Sequence, residues 1–147
     1  MGNRAVVQFT HQGTATQAFY LHWNGGPESV YTFLAVLETD YRCRSDAAPA
    51  RFAQLVGNFF GGGLSLYAWE NNEPMDEDNG VYRVDTAQNP WAVAHDIPRP
   101  HGSLRTLTAA ELCMERAAAA VHEYNQDDEL RKGIRLANDS FFLGCQA

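Results

Sequence analysis

The N-terminal part of the chain carries the pattern of two β-strands. Residues 4–10 are rich in β-branched and aromatic side chains, and residues 17–23 alternate between apolar and polar positions with the period of a half-buried strand. A polar turn separates the two segments, so they predict an antiparallel hairpin. In the second strand, Phe19, Leu21 and Trp23 are predicted to share one face.

The stretch Tyr20–Val30 predicts the end of a strand, a tight turn and the start of a helix. Gly25 and Gly26 break the strand period, and at least one of them is predicted to have a positive φ. Pro27 suits the first helical position because no backbone N–H is needed there. Glu28 then lies in the first turn, where the helix dipole favours a carboxylate.

Two helices are predicted from apolar stripes with helical spacing. The first runs from about Pro27 to Tyr41 and carries Val30, Phe33, Leu34, Leu37 and Tyr41 on one face. The second has Asp46 as candidate N-cap and Pro49 in its first turn, and its end is predicted at Gly61–Gly63. Its stripe consists of Phe52, Leu55, Val56, Phe59 and Phe60.

Three further strands are predicted at residues 64–69, 81–85 and, more weakly, 91–95, with an irregular linker at 97–105. Thr108 and Glu111 form a capping box, which predicts the start of a third helix. The apolar face of that helix is predicted to contain Cys113, Ala117, Ala120, Val121 and Tyr124, with Cys113 as an inert core thiol.

The order of these elements predicts an α+β fold with a single domain. Residues 1–97 hold the sheet and two helices, and residues 98–147 hold a linker and a C-terminal helical part. The expected architecture is an antiparallel sheet of about five strands with about three helices packed mainly on one face.

Charge and composition narrow the classes of function. The chain has 147 residues and a net charge of -7, which argues against direct binding of nucleic acid. The charge fits simple solubility, a basic protein partner or an acidic patch that imitates nucleic acid, and solubility alone explains most acidic domains. No apolar run is long enough for a membrane span, and the N-terminus has no secretory signal. The three cysteines are widely spaced, so free thiols in a reducing cytoplasm are expected.

Four segments carry a resemblance to a known family: residues 1–6, Tyr20–Gly26, Val56–Gly62 and Asp78–Tyr82. Over roughly residues 1–85 the chain resembles a family of small uncharacterised proteins found in prophages, plasmids and their bacterial hosts. The resemblance implies a setting among the accessory genes of mobile elements, many of which counter host defence. It implies no catalytic residues.

The turn before the first helix is one candidate binding site. Backbone N–H groups and the helix dipole converge there, as in anion sites at helix N-termini. The candidate ligand-binding residues are Arg4, His22, Trp23, Asn24, Gly25 and Gly26. The alternative is a plain strand-to-helix turn, because Glu28 already supplies a carboxylate to the helix end. His22 itself is predicted to lie at the surface.

The second candidate is the acidic segment, residues 70–78, which holds the densest cluster of charge in the chain. Its carboxylates are those of Glu70, Glu73, Asp76, Glu77 and Asp78. Such a segment is commonly a solvated loop, and it is also the best candidate surface for a basic partner. The spacing does not match a calcium loop.

No metal site, cofactor motif or catalytic signature is present in the sequence. We therefore expect a non-enzymatic protein that acts by binding, of the kind that includes anti-CRISPR inhibitors. A protein that binds a small ligand or nucleotide at the His22–Gly26 turn, or an enzyme using that pocket, is the alternative. A purely structural module and a homodimer are also left open.

Overall fold

Six strands form one mixed sheet in the order β3-β2-β1-β4-β5-β6 in the computed structural model, which describes residues 3–39, 46–60, 64–67 and 78–120. The strands are β1 (Ala5–His11), β2 (Thr14–Leu21), β3 (Leu64–Tyr67), β4 (Val81–Asp85), β5 (Ala92–Pro98) and β6 (Leu104–Thr106). The helices are α1 (Pro27–Thr39), α2 (Ala48–Phe60) and α3, which begins at residue 109 and is described to residue 120. The α+β prediction is confirmed.

The sheet consists of two antiparallel halves joined at the centre. β1 pairs with β2, and β2 with β3; β4 pairs with β5, and β5 with β6, all antiparallel. The central pair, β1 with β4, is parallel, with Val7 opposite Tyr82 and Phe9 opposite Val84. The predicted antiparallel sheet is confirmed for the other four pairs; this parallel pair was not predicted, because strand patterns do not reveal which distant strands become neighbours.

A two-residue turn at Gln12 and Gly13 joins β1 to β2. Both residues have positive φ, 50° and 78° respectively, as a type I′ hairpin requires. Thr16 is the extra residue where the register shifts, and its hydroxyl donates to the Phe9 carbonyl. The predicted hairpin is therefore confirmed, with a tighter turn and a bulge that the pattern did not reveal.

All three helices contribute to one apolar core on one face of the sheet. The predicted stripe of α1 is buried at Val30, Phe33, Leu34 and Leu37; Tyr41 lies outside the described residues. The α2 stripe is buried at Phe52, Leu55 and Val56, while the side chains of Phe59 and Phe60 lie outside the described part.

Phe52 lies at the centre of this core. Its ring meets those of Phe9, Phe19 and Phe33 at centroid distances of 5.4, 5.2 and 6.3 Å. These are tilted and edge-to-face contacts, the geometry that aromatic rings prefer. The aromatic residues of β1, β2, α1 and α2 thus fix the two helices against the sheet.

The opposite face of the sheet carries a second, smaller cluster, in which Val6, Ala18, Tyr20 and Val81 are buried and Leu104 is half-buried. Leu104 belongs to β6, a strand within the segment predicted as an irregular linker. That prediction was wrong: β5 continues to Pro98, and Leu104 pairs with it. The added strand is three residues long, too short for a recognisable alternation.

Element boundaries differ slightly from those predicted. The first helical hydrogen bond of α2 runs from the Arg51 N–H to the Ala47 carbonyl, so Asp46 lies one residue before the N-cap position. Pro49 is in the first turn as predicted. The predicted end at Gly61–Gly63 lies outside the described residues.

Candidate functional site

The His22–Gly26 turn is built differently from its prediction. Neither Gly25 nor Gly26 has a positive φ; the residue with a left-handed backbone is Asn24, with φ 56°. Glycine is required at position 25 for a steric reason instead, because a Cβ there would lie 2.6 Å from the Cβ of Ala5. The turn is therefore pressed against the start of β1.

Hydrogen bonds occupy the backbone of this turn. The Gly25 N–H donates to the Asn3 carbonyl at 2.7 Å, and the Gly25 carbonyl accepts from the Tyr82 hydroxyl at 3.0 Å. The Glu28 carboxylate folds back towards Gly26, where a Cβ would lie 2.5 Å from its Oε1. The N-terminus of α1 thus has its own carboxylate, and the observed geometry favours a structural turn over an anion site.

The side chains of the predicted ligand set point to different surroundings. His22 is exposed, as predicted, and its Nε2 lies 3.0 Å from the Ser65 hydroxyl on β3. Trp23 is 57% exposed, so its predicted place on the buried strand face was wrong; β2 ends at Leu21, before that position. The guanidinium of Arg4 pairs with Asp78.

Arg4 and Asp78 connect the ligand-binding candidates with the acidic segment. The Asp78 Oδ2 accepts from the Arg4 backbone N–H at 3.2 Å and lies 3.6 Å from its Nε. Asp78 therefore has a structural role beside the turn at residues 78–79. The other four carboxylates of the segment, Glu70, Glu73, Asp76 and Glu77, lie outside the described residues.

The β3 edge, meaning the side of Leu64–Tyr67 that faces away from β2, is one of the two edges of the described sheet. β3 pairs with β2 only, and no other described strand lies beside it. Leu66 is 64% exposed although its partner across the pair, Phe19, is buried. A strand edge offers alternating N–H and C=O groups to a further strand.

A buried polar cluster links α1, β5 and α3. Glu115 accepts a hydrogen bond from the Tyr31 hydroxyl at 2.8 Å, and both of its oxygens lie 2.8 Å from the Nδ1 of His95. His95 is 2% exposed, and its ring stacks on that of Tyr82 at 3.9 Å. Burial, together with the bond to Glu115, raises the pKa of Tyr31, so its hydroxyl keeps the proton that it donates.

The acceptor beside Nε2 determines where one proton of the His95 ring lies. Nε2 lies 2.5 Å from the Asn79 carbonyl, which only accepts, so we assign a hydrogen to Nε2. The Nδ1 on the other side of the ring faces both oxygens of Glu115. The cluster thus anchors the described part of α3 to β5 and α1.

Sequence reasoning missed this cluster because it assigned the wrong face of α3. Cys113, Ala117 and Ala120 were predicted to be buried and are all exposed. The core-facing positions are Leu112, Glu115 and Ala119. The spacing of 112, 115 and 119 was available in the sequence, but a glutamate at its centre made that stripe look solvent-facing.

The remaining chemistry-bearing residues form no further centre in the described ranges. No group of three or more His, Cys, Asp and Glu side chains that could hold a metal ion occurs among them. In the same ranges, no helix is long and apolar enough to cross a membrane.

The chain matches no family model, no curated protein and no solved structure among those compared with it. Its geometry and charge therefore carry the functional argument.

Proposed function

We propose that this chain binds a basic protein partner through the β3 edge, without catalysis, in the cytoplasm. We further propose that it is an accessory protein of a mobile element and inhibits a host defence complex. The setting depends on the resemblance given above. The binding mode depends on one observation, the open strand β3 with its exposed Leu66.

Within Leu64–Tyr67, the β3 edge carries none of the residue types that commonly protect a sheet edge. Natural edges are commonly blunted by Lys, Pro, a bulge or a very short strand. β3 has the sequence Leu-Ser-Leu-Tyr, with no charged residue and no proline. The opposite edge, β6, is only three residues long and includes Arg105. β3 is therefore the edge better suited to pairing with an extended segment of another protein.

The charge of the neighbouring sequence defines the chemistry of that partner. The acidic segment begins at Glu70, separated from the end of β3 by only two residues, in a chain of net charge -7. A strand rich in Lys or Arg would be attracted to it, and its apolar positions would contact Leu66. Such association is fast and weakens as salt rises, since the screening length is about 8 Å at physiological ionic strength.

The alternative, a ligand site at the His22–Gly26 turn, has less support. The Gly25 N–H already donates to Asn3, and Glu28 lies against Gly26. A bound anion would have to displace both of these interactions. The geometry at this turn thus gives no support to an anion site there.

Site-specific photo-crosslinking tests the proposed edge. A photoreactive amino acid replaces Leu66 in one variant and Met114, which is 74% exposed on α3, in the control. We expect both variants to be folded and only the Leu66 variant to capture a basic protein from host lysate. Equal capture at both positions, or capture at Met114 alone, would contradict the β3 edge as the binding surface.

A second set of variants tests the β3 edge and the acidic segment separately. Leu66→Lys places a charge on the edge and should abolish capture and any inhibition of host defence, whereas Met114→Lys should change neither. Replacement of Glu70, Glu73, Asp76 and Glu77 by their amides should slow association and reduce its salt dependence. Asp78 is left intact in that variant because it holds Arg4. Unchanged association kinetics would remove the acidic segment from the proposal.

A further inference from the structure

A cleft of about 210 Å³ opens between α1, β5 and α3, away from the β3 edge. Its lining residues are Tyr31, Leu34, Ala35, Glu38, Val93 and Arg116. Leu34, Ala35 and Val93 make one part of the wall apolar, and Glu38 and Arg116 bring one charge of each sign. The volume is below the roughly 300–1,000 Å³ of pockets for drug-sized ligands, so an occupant must be small.

Arg116 presents its cation to this cleft. Its guanidinium carbon lies 5.3 Å from the centroid of the Tyr31 ring, a cation–π contact that positions the group and uses none of its N–H donors. In the described ranges no carboxylate forms an ion pair with it. The planar donors of Arg116 are therefore available to a carboxylate, which an arginine binds in bidentate fashion.

Glu38 presents an incompletely neutralised carboxyl group to the same cleft. Its Oε1 accepts from the Trp91 backbone N–H at 2.9 Å, and no described residue donates to its Oε2. Burial raises the pKa of Glu38, and the hydrogen bond from Trp91 and the nearby charge of Arg116 offset that effect only in part. A cationic donor in the cleft would add to the partial neutralisation that Arg116 gives this carboxylate.

We propose that the cleft binds a free α-amino acid with an apolar side chain. The ligand carboxylate pairs with Arg116, its ammonium group pairs with Glu38, and its side chain packs against Leu34 and Val93. A phosphate ester or nucleotide fits less well, because a single guanidinium faces it and the Glu38 carboxylate repels it. This proposal is independent of partner binding at the β3 edge.

Calorimetry with three matched probes tests the assignment. L-leucine carries both charges, 4-methylpentanoate lacks the ammonium group, and 3-methylbutylamine lacks the carboxylate. We expect saturable binding of leucine and at least about tenfold weaker binding of each analogue, since each loses one charge-assisted contact. Absence of saturable leucine binding, or an analogue that binds as tightly, would overturn the proposal.

Variants of the two charged residues assign the binding to this cleft. Arg116→Gln and Glu38→Gln should each weaken leucine binding at least about tenfold, and Glu38→Gln keeps an acceptor for the Trp91 N–H. Arg51→Gln, on the exposed side of α2, is the matched control and should leave binding unchanged. Amide NMR spectra verify that each variant is folded and should show leucine-induced shifts at Ala35 and Val93. Equal affinity in all variants would refute the cleft as the site.

Discussion

Gly13 and Gly80 both have a positive φ but differ in the space around them. Substitutions at the two positions therefore distinguish backbone strain from a steric clash. Gly13 has φ 78° in the β1–β2 hairpin, with open space around the position of a Cβ. Gly80 has φ 71°, and a Cβ there would collide with the backbone carbonyl of Asp96. Alanine at either position would have to adopt a left-handed backbone conformation. Only at position 80 would its Cβ also clash with β5.

We therefore expect Gly13→Ala to lower the free energy of unfolding by about 1 kcal/mol, the cost of a left-handed alanine. Gly80→Ala should cost about 2 to 4 kcal/mol, because overpacking adds to the strain. Urea unfolding of both variants measures the difference. Equal losses would mean that the contact between Gly80 and Asp96 is easily relaxed.

For individual residues, the sequence predicted burial and backbone conformation better within helices and strands than at their ends. Phe33 and Phe52 could be assigned to the core because helical spacing repeats around them. Asn24 could not be distinguished from Gly25 as the left-handed residue, since asparagine also tolerates that conformation. Trp23 was misplaced because the strand period was extended two residues past Leu21, where β2 ends.

Among the elements, α3 depends most on polar contacts. Cys113, Met114 and Ala117 on this helix are exposed, and up to residue 120 its buried apolar contribution is Ala119, with Leu112 half-buried. In the described part of α3, the Glu115 carboxylate is therefore a buried link to His95 on the sheet and to Tyr31 on α1. Removing one member leaves the other buried without its partner.

A double-mutant cycle measures this link. We expect Glu115→Ala to cost about 3 kcal/mol of unfolding free energy, because buried His95 loses its hydrogen-bond partner. Combined with His95→Phe, the two changes should be coupled by about 1 to 3 kcal/mol, determined from urea unfolding of both single variants and the double variant. Additivity within about 0.5 kcal/mol would show that the pair contributes little.

The capping box at the start of α3 makes the stability of the fold depend on pH. The Thr108 backbone N–H donates to Glu111 at 2.8 Å, and the Glu111 N–H donates back to the Thr108 hydroxyl at 3.3 Å, as predicted. The bond from Arg105, followed by those from Thr108, lowers the pKa of Glu111 from 4.5 to about 2. A depressed folded-state pKa stabilises the fold above pH 4.5 and stops doing so as pH falls towards 2.

Carboxyl-detected NMR should therefore show Glu111 titrating with a midpoint near 2. Arg105→Gln should move that midpoint upward, because it removes the largest cause of the shift. The variant should also make unfolding less sensitive to pH between the two values. A midpoint that is the same with and without Arg105 would contradict this origin of the shift.

Pattern analysis of α3 located its start correctly and its buried face wrongly. The capping box is a local signal that involves only Thr108 and Glu111, so it can be recognised without the fold. The inward orientation of Glu115 depends on His95, twenty residues earlier in the sequence and on another element. A carboxylate is buried only where such a partner exists, and spacing along one helix cannot reveal that partner.

For the whole molecule, the class of fold was predictable and the neighbours of each strand were not. The alternation of strand and helix segments was sufficient for an α+β domain. The parallel pairing of β1 with β4 and the short strand β6 depend on contacts between distant segments. The candidate surfaces follow the same division: the acidic segment is visible in the sequence, whereas the β3 edge and the Glu38–Arg116 cleft emerge only from the assembled sheet and helices.

Hydrogen exchange should follow the layout of the sheet. β1 is paired on both sides and buried on both faces, as Val6, Val7 and Phe9 show. β6 is paired on one side only and is partly exposed. We expect amides of β1 and β4 to exchange only through global unfolding and those of β6 through local opening. Exchange from β6 as slow as that from β1 would contradict this order.

Binding of a partner strand would slow amide exchange in one strand of the sheet, β3. If a basic segment pairs with the β3 edge as proposed, the outward amides of Leu64–Tyr67 gain hydrogen-bond acceptors and become protected. The amides of β6, at the other end of the sheet, gain none and serve as an internal control. Exchange with and without the captured partner, at low and high salt, measures both effects. Protection that appears in β3 alone and decreases as salt rises is the expected result, because strand pairing and attraction to the acidic segment act at the same edge.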